Sequence, residues 1–106
     1  MEQLNQVTIR GIVGNARAQK IGDTEMVRFS VATDYAYRTR SGEAIIGTTW
    51  HQVTAFKNDR MPDFSGIVKG AGVVVNGRLR NNHFTGSDGV ERTVTEVLAN
   101  SVELVK

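Results

Sequence analysis

Two stretches of alternating residues carry the side chains that could do chemistry. If Thr48–Lys57 is a strand, His51, Val53 and Ala55 point to one side and Trp50, Gln52, Thr54 and Phe56 to the other. Val53 and Ala55 suit a core. The opposite side then carries two large rings about 20 Å apart at roughly 3.3 Å per residue, with polar side chains between them. In Val73–Phe84 the same alternation turns Val73, Val75 and Leu79 inward, while Val74, Asn76, Arg78, Arg80, Asn82 and Phe84 share the outer side. Rings spaced along a polar, partly cationic face are suited to stacking against other π systems and pairing with anions. Unpaired nucleic acid offers both, because every base has a π-face, and stacking is worth about 1–3 kcal/mol per base. Such a face implies no readout of base sequence. The competing reading is a protein interface, which also favours Trp, Tyr and Phe, with the Arg and Lys residues merely solvating a surface.

Other chemistries find little support. There is no Gly-x-Ser-x-Gly and no phosphate-binding Gly-Lys-Ser or Gly-Lys-Thr, and the carboxylates from Asp23 to Glu103 are dispersed among turns and strand ends. Gly11 and Gly14 have the GxxG spacing of a KH loop but lie in a β context without neighbouring helices. His51 and His83 are the only imidazoles and cysteine is absent, so neither a metal site nor a cofactor is expected. His51 shares the parity of Val53 and leaves the ring-bearing side, and His83 reads as strand surface. No catalytic role is expected for either.

The elements that must position these residues are strands. The 106 residues suffice for one domain, read as 1–106, with one core and no disulfide to staple it. Thirteen Lys and Arg stand against eleven Asp and Glu, a net charge of +2, so the placement of charge rather than its sum must mark any polyanion site. No apolar run approaches the roughly 20 residues of a spanning helix, and Met1–Gln6 lacks the pattern of a leader, which points to the cytoplasm and to no membrane partner. Period-2 patterns at Val7 and Ile9, at Val27, Phe29 and Val31, at Val53 and Ala55, and at Val73, Val75 and Leu79 are separated by turn-forming clusters at Arg38–Glu43 and Gly86–Gly89. The two clusters should be the tips of projecting hairpins. Between Asp59 and Gly70, Pro62 suits a first helical turn, Phe64, Ile67 and Val68 have helical spacing, and Gly70 can end the helix. About five strands with one short helix between the third and fourth point to an all-β OB-fold, a five-stranded Greek-key barrel. Tyr37 does not fit the face argument: counted from Phe29 and Val31 it has core parity, so a bulge or the end of the strand must intervene if it is to meet a ligand.

At Asn5-Gln6-Val7, Gly11-Ile12-Val13-Gly14-Asn15, Phe29-Ser30-Val31-Ala32-Thr33, Thr49-Trp50-His51-Gln52-Val53, Val68-Lys69-Gly70 and Val75-Asn76-Gly77-Arg78-Leu79-Arg80, the chain resembles the bacterial single-stranded DNA-binding protein family over nearly its whole length. The resemblance implies an OB-fold that assembles as a homo-oligomer, usually a tetramer. It would wrap single-stranded DNA without sequence preference during replication, recombination and repair, associated with the bacterial nucleoid in the cytoplasm. The family's four stacking positions fall on Tyr37, Trp50, Phe56 and Phe84, all aromatic here, and its phosphate contacts on Lys20, Lys69, Arg80 and Arg92, with Lys57 beside another. Together with Arg78, taken from the alternation, these are the candidate site residues. His51 falls toward the family's subunit interface.

Gln6, Gln52 and Asn82 stand where the family often has a basic residue. Each lost phosphate contact should flatten the log–log salt dependence by about 0.7. The family's long Gly-, Pro- and Gln-rich tail with its acidic tip has no counterpart after Val102–Lys106, which still reads as strand. That leaves either a shortened chain or a tailless version, and puts tail-mediated partners in question. A primosomal or mobile-element OB-fold binder acting as a dimer, or an RNA-binding module, is the alternative consistent with the same residues.

Overall fold

The computed structural model describes residues 1–105. Among them are five strands: β1 (Val7–Ile21), β2 (Thr24–Arg38), β3 (Ala44–Phe56), β4 (Gly72–Thr85) and β5 (Glu91–Val105). They close into a barrel in the order β1-β2-β3-β5-β4, with β1 against β4 completing the ring. β1, β2 and β3 form an antiparallel meander; β3 meets β5 in parallel only over Val53–Ala55 against Val97–Ala99. This is the Greek-key barrel of the OB-fold. β5 continues through Val105, so the strand expected over Val102–Lys106 is present up to that residue, Lys106 lying outside the described residues. No helix among the described residues is long and apolar enough to cross a membrane.

The alternation locates the core. Ile9, Val13, Val27, Phe29, Val31, Val53, Ala55, Val73 and Val75 are all buried and pack together. Most are β-branched, the type that best fits a pleated, crowded surface. Leu79 departs from expectation. It keeps the parity of Val73 and Val75 but is 47% exposed, because β4 has by then run past the barrel into a hairpin with β5. Parity assigns a face, and only the length of the barrel decides whether that face is covered.

The expected helix is also corrected: between Asp59 and Gly70 only Phe64–Gly66 is helical, as a single 3-10 turn. Asp63 caps it by accepting the Ser65 N–H at 3.0 Å, a bond that holds the Asp63 carboxyl below its ordinary range. Gly66 disfavours propagation by about 1 kcal/mol relative to Ala. In a 3-10 turn residues three apart eclipse one another, so Phe64 and Ile67 both plug the barrel while Val68 stays outside. Gly70, at φ +91°, turns the chain through Val68–Ala71 instead of ending a helix.

Two irregularities shape the walls. In β1 the register against β2 shifts between Val13 and Ala16, so Gly14 and Asn15 together oppose Ser30, the two-against-one geometry of a β-bulge. Ser30, buried, locks it: its Oγ accepts the Asn15 N–H at 3.1 Å and donates to Asn15 Oδ1 at 3.0 Å. The second shift, at Asn76/Gly77, leaves Asn100 of β5 as the extra residue. Beyond Ala32 β2 has no β1 partner, so β2 and β3 leave the barrel as a two-stranded ribbon with its tip at Thr39–Glu43. β4 and β5 do the same beyond Leu79, with a tip at Gly86–Val90. Both expected hairpins therefore project.

Candidate nucleic-acid interface

The site is built on the outer parity of β3, β5 and β4. Trp50 lies opposite Ala32 in the ladder, and its ring reaches across β2 to rest on Gly14. A Cβ on Gly14 would sit 2.2 Å from Trp50 Cζ3, a distance no real contact tolerates. The bulge at Gly14–Asn15 therefore makes a flat bed for the indole, which is held from below yet 55% exposed above. The Val68–Ala71 turn docks beside this bed, with the Gly70 N–H donating to Val13 O at 2.8 Å and the Val13 N–H to Ala71 O at 2.9 Å. That places Lys69 at the same end of the barrel.

Along β3 the outer face continues through Gln52 and Thr54 to Phe56, which is 38% exposed and pairs in register with buried Met26. From Thr54 it crosses to Leu98 and then to Arg78, consecutive partners in register. The next outer pair is Glu96 and Arg80, then Val94 and Asn82, then Arg92 and Phe84 on the ribbon. Trp50, Phe56 and Phe84 thus share one continuous face with Arg78 and Arg80, as the alternation indicated, and with Arg92 of β5.

The cations on that face are not equivalent. Glu96 is buried; its Oε2 accepts from Thr54 Oγ1 at 2.8 Å and its Oε1 from Arg80 Nε at 2.7 Å. Arg80 is neutralised in place. Arg92 Nη2 donates to Asp88 Oδ2 at 2.7 Å at the tip of its own hairpin. Arg78 makes no ion pair among the described residues.

Lys20 and Lys57 lie at the other end of the β1–β2 hairpin, where they line a shallow recess with Asp23, Thr24 and Glu25. Lys57 is occupied: its Nζ donates to Pro62 O at 2.6 Å and stands 5.1 Å from the Phe64 ring centre, a cation–π contact. These two lysines are set against the aromatics only through neighbouring Phe56.

Tyr37 is not on the outer face. The β2–β3 ladder is unbroken from Met26/Phe56 to Arg38/Ala44, so Tyr37 keeps the parity of Phe29 and Val31, opposite that of Trp50. It is exposed because the ribbon has left the barrel, and no bulge intervenes. Tyr35 accompanies it on the same face and was missed in the sequence because its parity reads as core. The two rings stack with centres 6.2 Å apart and planes 9° from parallel. His51, on this same parity, is half-buried and bonds through Nε2 to Thr33 Oγ1 at 2.8 Å.

No group of three His, Cys, Asp or Glu able to hold a metal occurs among the described residues. What the geometry offers is a set of ordered, half-exposed rings with cations between them, suited to stacking and anion contact. A mitochondrial single-stranded DNA-binding protein of Drosophila melanogaster is 36% identical over 93% of this chain and 69% of its own length. The single-stranded DNA-binding protein of Neisseria meningitidis is 30% identical over 96% of this chain, which spans 60% of that relative. In three dimensions the chain is similar to a Plasmodium falciparum SSB solved in complex with ssDNA, with a TM-score of 0.80, 25% identity and coverage of 99% of this chain and 96% of that one. The model of the single-strand binding protein family matches residues 4–105, a span that includes all five strands, and the chain belongs to that family.

Proposed function

We propose that this chain binds single-stranded DNA without sequence preference, stacking bases on Trp50, Phe56 and Phe84 of the outer face and on Tyr37 of the ribbon. Lys20, Lys69 and Arg78 supply phosphate contacts directly. Lys57 and Arg92 do so by giving up the bonds they hold in the free protein, whereas Arg80 stays held by Glu96. The 106 residues act as one OB unit, have no catalysis of their own, and serve replication, recombination and repair as a homo-oligomer in the bacterial cytoplasm. The observation that carries this reading is the Trp50 indole, seated on Gly14 with its upper face open. A ring held from below and bare above is pre-organised for a stacking partner, since little freedom remains to be lost on binding. The Plasmodium relative, solved with single-stranded DNA, shows that a barrel of this shape can hold that ligand.

Titration with oligo-dT while following Trp50 fluorescence tests the proposal, with Trp50→Phe and Phe84→Ala followed by labelled DNA. Stoichiometric quenching, weaker binding as rings are removed and little affinity for duplex are expected. No quenching and no effect of either substitution would assign the aromatic face to protein contacts instead.

A further inference from the structure

We infer that Tyr35 is a base-stacking residue, forming with Tyr37 a two-ring platform on the β2–β3 ribbon for unpaired bases of a strand that has passed round the ribbon's edge from Trp50. Tyr35 has this role only if the chain binds single strands as proposed above.

Three observations converge on it. Tyr35 and Tyr37 are 50% and 53% exposed, so each ring keeps a free surface. Their planes lie within 9° of parallel at 6.2 Å between centres. Residues two apart in a strand stand about 6.6 Å apart, so the rings project side by side without splaying. Finally, Tyr35 is fixed from beneath. Its partner in register is Gly47, where a Cβ would lie 2.3 Å from Tyr35 Cζ and Oη. Glycine inside a strand weakens it and marks a close approach; here the approach is that of the Tyr35 ring, laid across β3.

This repeats the construction beneath Trp50. At both places a glycine two strands or one strand away removes the Cβ on which an aromatic ring would otherwise ride up. The two seated rings lie on opposite parities of the same ribbon. A strand that touches both must cross an edge of the ribbon, and both edges are open there: β2 has no β1 partner beyond Ala32, and β3 has no β5 partner before Val53.

The test compares the parent chain with Tyr35→Leu, Tyr35→Phe, Tyr37→Leu and the Tyr35→Leu/Tyr37→Leu double variant, titrating labelled oligo-dT of increasing length and measuring mass by sedimentation. Loss of a stacked base, at about 1–3 kcal/mol, corresponds to roughly five- to 150-fold in Kd. Tyr35→Leu should weaken binding within that range for long oligonucleotides and leave very short ones unaffected, at unchanged mass. Tyr35→Phe, which keeps the ring, should recover most of the loss. The double variant should bind more weakly than Tyr37→Leu, because a Tyr35 that merely braced Tyr37 would add nothing once Tyr37 is gone. Unchanged affinity in Tyr35→Leu at every length, additivity absent in the double variant, or a loss that follows a fall in oligomeric mass would each overturn the inference. Trp50 quenching in the parent separates the two levels: quenching with a silent Tyr35 refutes the platform alone, and no quenching refutes the binding function with it.

Discussion

Replacing Glu96 by Gln should turn Arg80 from a neutralised residue into a phosphate contact. In the free protein Arg80 Nε donates to Glu96 Oε1 at 2.7 Å, with the Arg80 side chain 32% exposed and that of Glu96 only 8%. A phosphate must compete for the guanidinium with a carboxylate that is already desolvated. Gln preserves the shape of the network, since its carbonyl can accept from Arg80 and its amide can donate to Thr54 Oγ1, which stands 2.8 Å from Glu96 Oε2. What it removes is charge: the formal net charge of +2 loses one negative contribution and becomes +3. The bond from the Arg80 guanidinium stays charge-assisted on the donor side, but it loses the attraction of a full carboxylate charge, so the restraint on Arg80 weakens.

One added phosphate contact steepens the log–log salt dependence by about 0.7, so the ratio of variant to parent affinity should grow about five-fold between 1 M and 0.1 M salt. Oligo-dT titrations at four or five salt concentrations, read by Trp50 quenching, measure it. Arg80→Met supplies the counter-test. It should leave the salt slope close to that of the parent, yet cost about 3 kcal/mol of stability because a buried carboxylate loses its cation. A Glu96→Gln slope no steeper than the parent's, or an Arg80→Met slope flatter by the full 0.7, would show that Arg80 already reaches phosphate despite its partner, and the reasoning would fall.

Gly14→Ala should displace the Trp50 ring by about 1.5 Å, because the new Cβ would begin 2.2 Å from Cζ3 and ordinary carbon contacts need roughly 3.5–4.0 Å. Altered indole emission and several-fold weaker binding are expected, and a variant with parental emission and affinity would dispose of the bed. Ser30→Ala removes both bonds that lock the bulge, each worth about 0.5–1.5 kcal/mol net, since exposed Asn15 can turn to water instead; urea unfolding measures it, and an unshifted midpoint would show that the bulge holds itself. Phe29→Ala opens the centre of the core, where the ring is 2% exposed, and should cost about 3–5 kcal/mol, seen as a lower thermal midpoint.

The strands and their faces were legible in the sequence because period-2 alternation is a local property. Val53, Ala55, Val73 and Val75 are buried, and Trp50, Phe56 and Phe84 share the outer side, as counted. What failed depended on non-local geometry. Leu79 and Tyr37 carry inward parity in the sequence and in the structure alike, yet both are exposed, since nothing local says where the barrel stops and a ribbon begins. Tyr35 went unnoticed for that same reason. The helix was inferred from Phe64, Ile67 and Val68, but one eclipsed turn satisfies Phe64 and Ile67 without Val68. The ion pair that neutralises Arg80 depends on the register of β4 against β5, which brings together residues 16 apart across a hairpin. The bulge that seats Trp50 was visible only as a motif, Gly14-Asn15, whose purpose lies in a side chain two strands away.

The distribution of aromatics ties these features together. Of the seven Phe, Tyr and Trp residues, only Phe29 and Phe64 are buried, while Tyr35, Tyr37, Trp50, Phe56 and Phe84 are each at least 38% exposed. Rings bury 150–250 Å² each when placed in a core and usually dominate its energetics, so leaving five outside forgoes stabilisation that this small barrel could use. The interior is made instead from valines, six of which are at most 2% exposed: Val13, Val27, Val31, Val53, Val73 and Val75. A valine core is narrow enough to close without the rings, and it frees them for the surface. At least two of the exposed rings are then seated on glycines, which themselves weaken the strands that contain them. Exposed rings and strand glycines each lower stability, and both are understandable where a stacking partner returns the difference on binding.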